Sequence, residues 1–202
     1  MFSFFKRLFD IVSATLLFIV ISPFFLVLMA LVRIKLGSPV FFRQERSGLK
    51  QKHFHLIKFR TMSDERDSNG ELLPDHLRVS KFGVFLRSYS LDELPELFNI
   101  IKGDMSVIGP RPLPCKYDKF YKASELPRFN VRGGLISPDV IEPVPVVPWD
   151  QQLAIEADYG MNLSFKKDFT IFFAVFKTLF RRADSNFGEY ERIPLDEERG
   201  HA

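Results

Sequence analysis

The chain has 202 residues and a single cysteine, Cys115. One thiol makes neither an internal disulfide nor a Cys-based zinc site, and a reducing, cytosol-facing setting fits. Tryptophan is down to one residue and tyrosine to five, whereas phenylalanine reaches 23. Phe is bulky and has no polar handle, so this bias points to much apolar surface hidden in a core or in lipid. An excess of one charge is also missing: the net charge is +3. That is too little for a nucleic-acid partner, and no basic cluster carries interleaved aromatics at base-stacking positions. It is compatible with anionic lipid or phosphorylated ligands. The chain contains no Walker A loop, GxGxxG, HExxH or GxSxG, so the commoner nucleotide and hydrolase signatures are excluded.

What the chain does have is one long apolar run, from Ile11 to Val32. As a straight helix it measures roughly 33 Å, enough to span hydrocarbon. Asp10 stands at its entrance and Ser22-Pro23 at its middle, where the missing N–H of Pro23 predicts a kink. Lys6 and Arg7 flank one end, Arg33 and Lys35 the other, so positive charge gives no orientation. A helix bent at Ser22-Pro23 that re-enters on one side, with the Ser22 hydroxyl satisfying a freed carbonyl, and a simple transmembrane anchor both satisfy this pattern. No small-x-small site follows, against a cleaved signal peptide. A buried core helix does not fit a run apolar on all faces.

Beyond Leu36-Gly37-Ser38-Pro39, which ends the helix, two strands are predicted: Pro39 to Glu45 and His53 to Thr61, joined by a turn at Arg46-Ser47-Gly48. His53 and His55 share a strand face but have no convincing further ligands nearby, so they read as surface histidines. Lys58 and Arg60 also share a face and suit phosphate oxygens, although two strand cations are usually a solvated edge. Residues 63–74 read as a polar loop.

Ser90-Leu91-Asp92-Glu93 is the stretch that carries chemistry. It matches a capping box, with Ser90 as N-cap, Glu93 reaching back and Asp92 complementing the helix dipole. Pro95 fits that poorly, because proline prefers the first helical position. The same residues support a second reading. An ionised Asp92 can attack phosphorus to give an acyl phosphate. Adjacent anions would repel a negatively charged substrate, so a divalent cation is required. Glu93 with diphosphate oxygens suits Mg²⁺. Arg87 and Arg111 would neutralise charge on the transferred and leaving groups. Pro110 and Pro112 pin the backbone around Arg111, a residue made for phosphate forks, although a surface arginine between turn prolines is common.

Leu86-Arg87-x-x-Ser90-Leu91-Asp92-Glu93-Leu94-Pro95-x-Leu97-x-Asn99-x-x-Lys102-Gly103-Asp104-Met105-Ser106-x-x-Gly109-Pro110-Arg111-Pro112 resembles the bacterial monotopic phosphoglycosyl transferases, in their minimal form. Lys58-Phe59-Arg60-Thr61-Met62, Lys6-Arg7-x-x-Asp10 and Ser22-Pro23 match as well. The resemblance implies a re-entrant amino-terminal helix broken at Ser22-Pro23. It implies transfer of a phosphosugar from a UDP-sugar to polyprenyl phosphate, such as undecaprenyl phosphate, with release of UMP. Asp92 would be the covalent nucleophile and Glu93 the Mg²⁺ ligand in a ping-pong reaction that starts a surface polysaccharide or protein-linked glycan. The enzyme would sit on the cytoplasmic face of the bacterial inner membrane. The match weakens after Pro114: the family's usual Arg-Pro-Gly-Ile-Thr-Gly stands here as Arg132-Gly133-Gly134-Leu135-Ile136-Ser137, which bears on donor identity. Asp158-Tyr159, Ser164 and Asp168 recover a family-like spacing.

Pro114 to Leu126 reads as a helix whose Tyr117, Phe120 and Tyr121 pack in the core. Phe169 to Arg182 is an apolar helix suited to a headgroup plane or to the core. Residues after Ala183 read as a loose polar tail. The expected protein is α/β and α-rich, a compact monotopic membrane-associated domain with a small β-hairpin and interfacial amphipathic helices. Its parts are residues 1–36 (re-entrant helix), 37–183 (catalytic domain) and 184–202 (tail). The expected substrate-binding residues are Lys58, Arg60, Arg87, Arg111 and Arg132. Expected partners are a UDP-sugar, polyprenyl phosphate and membrane lipid, with homodimerisation left open. The alternatives are a non-catalytic membrane-anchored scaffold and a relative using an atypical nucleotide sugar.

Overall fold

The computed structural model of the chain describes residues 2–144, 146–183 and 192–200. Its longest element is α1 (Phe2–Leu36), which contains Pro23 without ending there. The expected break at Ser22-Pro23 is therefore not an interruption of the helix. The reason is local. Pro23 withdraws the N–H that would serve the carbonyl four residues back, at Ile19. The Ser22 hydroxyl donates to that same carbonyl at 2.8 Å, so the orphaned acceptor is satisfied one residue away.

The covered positions of α1 recur at helical spacing along its length: Arg7, Asp10, Ala14, Phe18, Ile21, Phe25, Leu28 and Val32. That stripe meets the rest of the protein at both ends. Lys6 donates to Asp168 at 2.9 Å, and Arg7 to the carbonyls of Ile100 (2.7 Å) and Ile101 (3.1 Å). Asp10 accepts from Ser106 Oγ at 2.7 Å and from the Val107 N–H at 3.0 Å. Further along, Phe25, Leu28 and Val32 share one buried cluster with Phe59 and Leu86. The other face is bare and apolar, from Phe4 and Phe9 to Val20 and Ile34. By length and composition α1 is able to cross a membrane.

The predicted hairpin is present. Strand β1 (Phe41–Ser47) pairs antiparallel with β2 (His53–Phe59), Phe41 opposite Phe59 and Ser47 opposite His53. Two short helices follow, α2 (Asp75–Arg78) and α3 (Lys81–Ser88), the second capped by Ser80, whose hydroxyl accepts from the Gly83 N–H at 2.9 Å. Gly83 lets α3 lie against the chain beyond β2: a Cβ there would stand 1.9 Å from the Thr61 carbonyl oxygen. Helix α4 (Glu96–Lys102) ends at Gly103, in the left-handed conformation that glycine adopts freely.

A second sheet pairs β3 (Met105–Ile108) in parallel with β4 (Gly133–Ile136). At its edge the backbones of Gly109 and Gly134 touch, and a Cβ on Gly134 would meet the Gly109 nitrogen at 2.0 Å. This fixes the exit of the Gly109-Pro110-Arg111-Pro112 loop.

The carboxy-terminal half departs from expectation in two places. Pro114 to Leu126 is not one helix. It is a 3₁₀ turn at Cys115–Phe120 and another at Ala123–Asn130, with extended backbone at Tyr121 and Lys122. Tyr117 is buried with Trp149, Leu153 and Leu195, and Phe120 and Tyr121 pack against them, so the aromatics do serve the core. Helices α5 (Trp149–Met161) and α6 (Phe165–Ala183) follow. Ile171 of α6 is buried while Phe165, Phe169, Phe172 and Phe173 face outward.

The second departure is the tail. Residues 192–200 are not loose: α7 (Leu195–Gly200) inserts Leu195 into the core with no exposed surface. Arg192 stacks on the Trp149 ring at 3.3 Å, and Arg199 makes two bonds of 2.7 Å to Glu125. A single apolar anchor and two arginines leave no periodic signal in the sequence. Residues 184–191 and 201–202 lie outside the described residues.

Candidate active site

One large cavity, about 1130 Å³, opens between the hairpin, the chain after β2, α3 and the turn at residues 90–93. Arg43, Arg46, Lys58, Arg60, Arg78, Arg87 and Arg111 line it, against only three acidic residues, Asp64, Asp92 and Glu93. The balance favours a polyanionic ligand. Pro39, Val40, Phe41, Phe42, Met62 and Leu72 supply an apolar wall. The floor rests on the cluster shared by α1, β2 and α3, so the cavity is built directly on the long apolar helix.

The capping-box reading of Ser90-Leu91-Asp92-Glu93 does not hold. Ser90 sits at φ 52°, ψ 24° and its side chain caps nothing; Leu91–Glu93 is a single 3₁₀ turn ahead of α4. A non-glycine residue in the left-handed region is strained, and such strain gathers where side chains must be aimed. Glu93, instead of reaching back, extends to Lys58 Nζ (2.6 Å) and an Arg111 guanidinium nitrogen (2.9 Å), both donating to its Oε1.

Electrostatics separates the three neighbouring carboxylates. Burial pushes Glu93 up, but Arg111 and Lys58 outweigh it through charge and hydrogen bonds and hold it down to about 2. Glu96 is buried next door, with Lys58 Nζ at 3.3 Å. Its burial and the nearby Glu93 charge lift it to about 7 against the pull of Lys58. Asp92 is also raised, by burial first and by the Glu93 charge, with Lys58 and Arg87 opposing. Asp92 is only 9% exposed yet lines the cavity. Burial thus strips Asp92 of part of its water while leaving it at the wall of a cationic pocket.

Of the residues expected to bind substrate, the fold brings together Lys58, Arg60, Arg87 and Arg111 around Asp92 and Glu93. Arg60 is largely committed to structure, donating to the carbonyls of Met62 (2.8 Å) and Ser38 (2.7 Å) and pairing with Asp64 at 2.8 Å. Arg87 is steered by a 3.0 Å bond from its Nε to Thr61 Oγ1. Arg132 is a correction: it does not line the cavity. Its Nε donates to the Gly103 carbonyl at 2.8 Å, helping to close the end of α4. The atypical segment Arg132 to Ser137 lies off the cavity wall as well, mostly inside β4. Asp158-Tyr159, Ser164 and Asp168 likewise hold structure: the Tyr159 hydroxyl bonds Asp168 and the Ile108 carbonyl, and Asp168 also receives Lys6.

The support behind Arg111 was missed by sequence reasoning. Arg128 and Glu156 form a buried ion pair at 2.7 Å, with side chains 1% and 0% exposed. Glu156 accepts from the Arg111 N–H at 3.0 Å, and Arg128 donates to the Arg111 carbonyl at 2.6 Å. Ser137 and Gln152 also donate to Glu156. Both peptide groups of Arg111 are thus gripped from inside the protein. The only available hint was two charged residues in otherwise core-forming segments.

The donor set suits Mg²⁺. Asp92 and Glu93 offer hard carboxylate oxygens at the cavity, and the cations on Glu93 occupy only Oε1. One or two carboxylates with substrate phosphates and water is the usual protein share of a Mg²⁺ shell.

The chain belongs to the bacterial sugar transferase family, whose model matches residues 1–182, and it is an enzyme of that class. Among curated relatives it is 45% identical to an uncharacterized sugar transferase, EpsL, of Bacillus subtilis, over 82% of each chain. It is 35% identical to the exopolysaccharide production protein ExoY of Rhizobium meliloti, over 86% of this chain and 83% of that one. A UDP-glucose:undecaprenyl-phosphate glucose-1-phosphate transferase of Klebsiella pneumoniae is 43% identical over 59% of this chain, a stretch that makes up 26% of the larger protein.

Proposed function

We propose that this protein transfers a phosphosugar from a UDP-sugar to a polyprenyl phosphate such as undecaprenyl phosphate, as the first step of exopolysaccharide or related glycan assembly. The observation that carries the reading is the placement of Asp92 and Glu93 in one cavity with Lys58, Arg87 and Arg111. In the first half-reaction an Asp92 oxygen attacks the phosphorus that bears the sugar. The bond from that phosphorus to the bridging oxygen breaks, and UMP leaves with the electron pair. In the second, an oxygen of the lipid phosphate attacks the same phosphorus, and the Asp92 carboxylate is released. Glu93, with Asp92 beside it, would hold Mg²⁺, which supplies neutralisation of the diphosphate charge. Arg111 and Arg87 meet the negative charge that builds on the transferred and leaving groups.

The reading also places the enzyme on the cytoplasmic face of the inner membrane. Both ends of α1 contact the same domain, at Arg7 and at Val32. A helix crossing the bilayer would carry one of those ends about 30 Å away, on the far side. The contacts therefore support a helix held against the domain on one side of the membrane, with its bare face in lipid. A site resting on that helix reaches a soluble nucleotide and a lipid phosphate without extracting the lipid.

The test is a panel of UDP-sugars offered to the purified protein with undecaprenyl phosphate and Mg²⁺. UMP release with one donor, and a phosphosugar adduct on Asp92 seen by mass spectrometry, is the expected result. Equal release by Asp92→Asn would remove Asp92 from the nucleophile's role.

A further inference from the structure

The single cysteine does not stand alone. Side chains on a strand alternate between faces, so the face of β1 and β2 opposite Gln44, Arg46 and Leu56 carries Glu45, Ser47 and His53. The chain after Pro112 runs alongside β1: the Ser47 N–H donates to the Leu113 carbonyl at 3.2 Å, and Arg46 bridges Pro114. Cys115 is thereby delivered to the Glu45–His53 face from 62 positions further along the chain than His53. A carboxylate oxygen of Glu45, a ring nitrogen of His53 and the Cys115 sulfur all lie within 4.8 Å of one another.

We propose that Glu45, His53 and Cys115 bind a borderline divalent cation of the Zn²⁺ kind, separate from the Mg²⁺ of the reaction. None of the three lines the catalytic cavity. Thiolate, imidazole and carboxylate together select Zn²⁺ over Mg²⁺, and three protein ligands with water complete a tetrahedron. Ligand atoms around such an ion sit roughly 3.3–3.8 Å apart. His53 Nδ1 and Glu45 Oε1 are already 3.8 Å apart. The sulfur has about 1 Å at most to close on that spacing, and two of the three side chains are exposed enough to turn.

The histidine is oriented for the task. Its Nε2 meets Asp118 Oδ2 at 2.9 Å, and Asp118 is held in turn by Ser47 Oγ at 2.6 and 2.8 Å. A carboxylate on one ring nitrogen fixes the tautomer and leaves the other nitrogen's lone pair for a metal. Binding of the cation would displace the thiol proton, so that the sulfur ligates as thiolate. It would staple the turn end of the hairpin to the segment that follows Arg111.

The test uses the full chain in detergent, stripped by chelator and titrated with Co²⁺ as a spectroscopic substitute for Zn²⁺. Cys115 is the only cysteine, so any thiolate-to-cobalt charge-transfer band reports on it. The expected result is that band with tetrahedral visible bands. One equivalent of Zn²⁺ abolishes both, excess Mg²⁺ leaves them, and Cys115→Ser and His53→Gln each remove them while keeping the circular dichroism of the parent. A wild type without the band overturns the site. So does a band that survives in His53→Gln, which would mean a surface thiol alone and an imidazole merely paired with Glu45 and Asp118.

Discussion

Three carboxylates within five positions have three different environments, and each makes a separate prediction. Asp92→Asn keeps the shape of the turn and removes the carboxylate charge. UMP release is expected to fall by about three orders of magnitude or more, with no adduct in the mass spectrum. Glu96 gives a pH signature. Its folded value of about 7 lies above the ordinary 4.5. Between those values the folded state holds a proton that the unfolded chain has lost, so stability falls as pH rises through that window. Glu96→Gln is expected to flatten this decline, measured as the difference in thermal midpoint between pH 5 and pH 8 in detergent. An unchanged difference would place the titrating group elsewhere. Glu156→Gln leaves Arg128 buried without its counter-charge, a loss of about 3–5 kcal/mol. Replacing both partners with Met is expected to restore much of the stability but not UMP release, because Arg111 then loses its grip on both sides. Recovery of activity in the double variant would show that Arg111 needs no such support.

At the scale of elements, the parts written in local pattern were legible and the parts built by distant contact were not. The apolar run of α1, the hairpin and the repair of the Ile19 carbonyl by Ser22 follow from residues within a few positions of each other. The parallel pairing of β3 with β4 joins short segments 28 positions apart, Met105 to Gly133, and neither is long enough to show a period. The capping box misled because its tetrapeptide is satisfied by composition, while the fold puts Ser90 in a left-handed turn and sends Glu93 to Lys58 and Arg111. Arg132 opens the stretch that stands for the family's Arg-Pro-Gly-Ile-Thr-Gly and was expected at the substrate; its side chain bonds the Gly103 carbonyl at the end of α4. The topology of α1 is open to a direct measurement. Single cysteines at Ser3 and Lys35, exposed polar positions at the two ends of α1, are placed in a Cys115→Ser background. Both are expected to react with a membrane-impermeant reagent from the cytosolic side only. Labelling of the two from opposite sides would establish a spanning helix.

For the whole molecule, the proposed reaction would bring a soluble donor, a lipid acceptor and a divalent cation to one cavity. Removing Mg²⁺ with a chelator is expected to abolish UMP release, and adding Mg²⁺ to restore it. Glu93→Gln is expected to raise the Mg²⁺ concentration needed for half-maximal rate. An unaltered requirement would assign the cation to other oxygens.

Asp10 finds its two partners 96 and 97 positions later in the chain, at Ser106 and Val107. A ribosome makes the helix long before it makes them. During that interval the Asp10 carboxylate has only Lys6, one helical turn back, to balance it. Only when the middle of the protein has been synthesised and has folded does the helix acquire its permanent seat. A foreign helix fused in place of residues 1–36 would therefore leave the remainder without the surface on which the cavity is built.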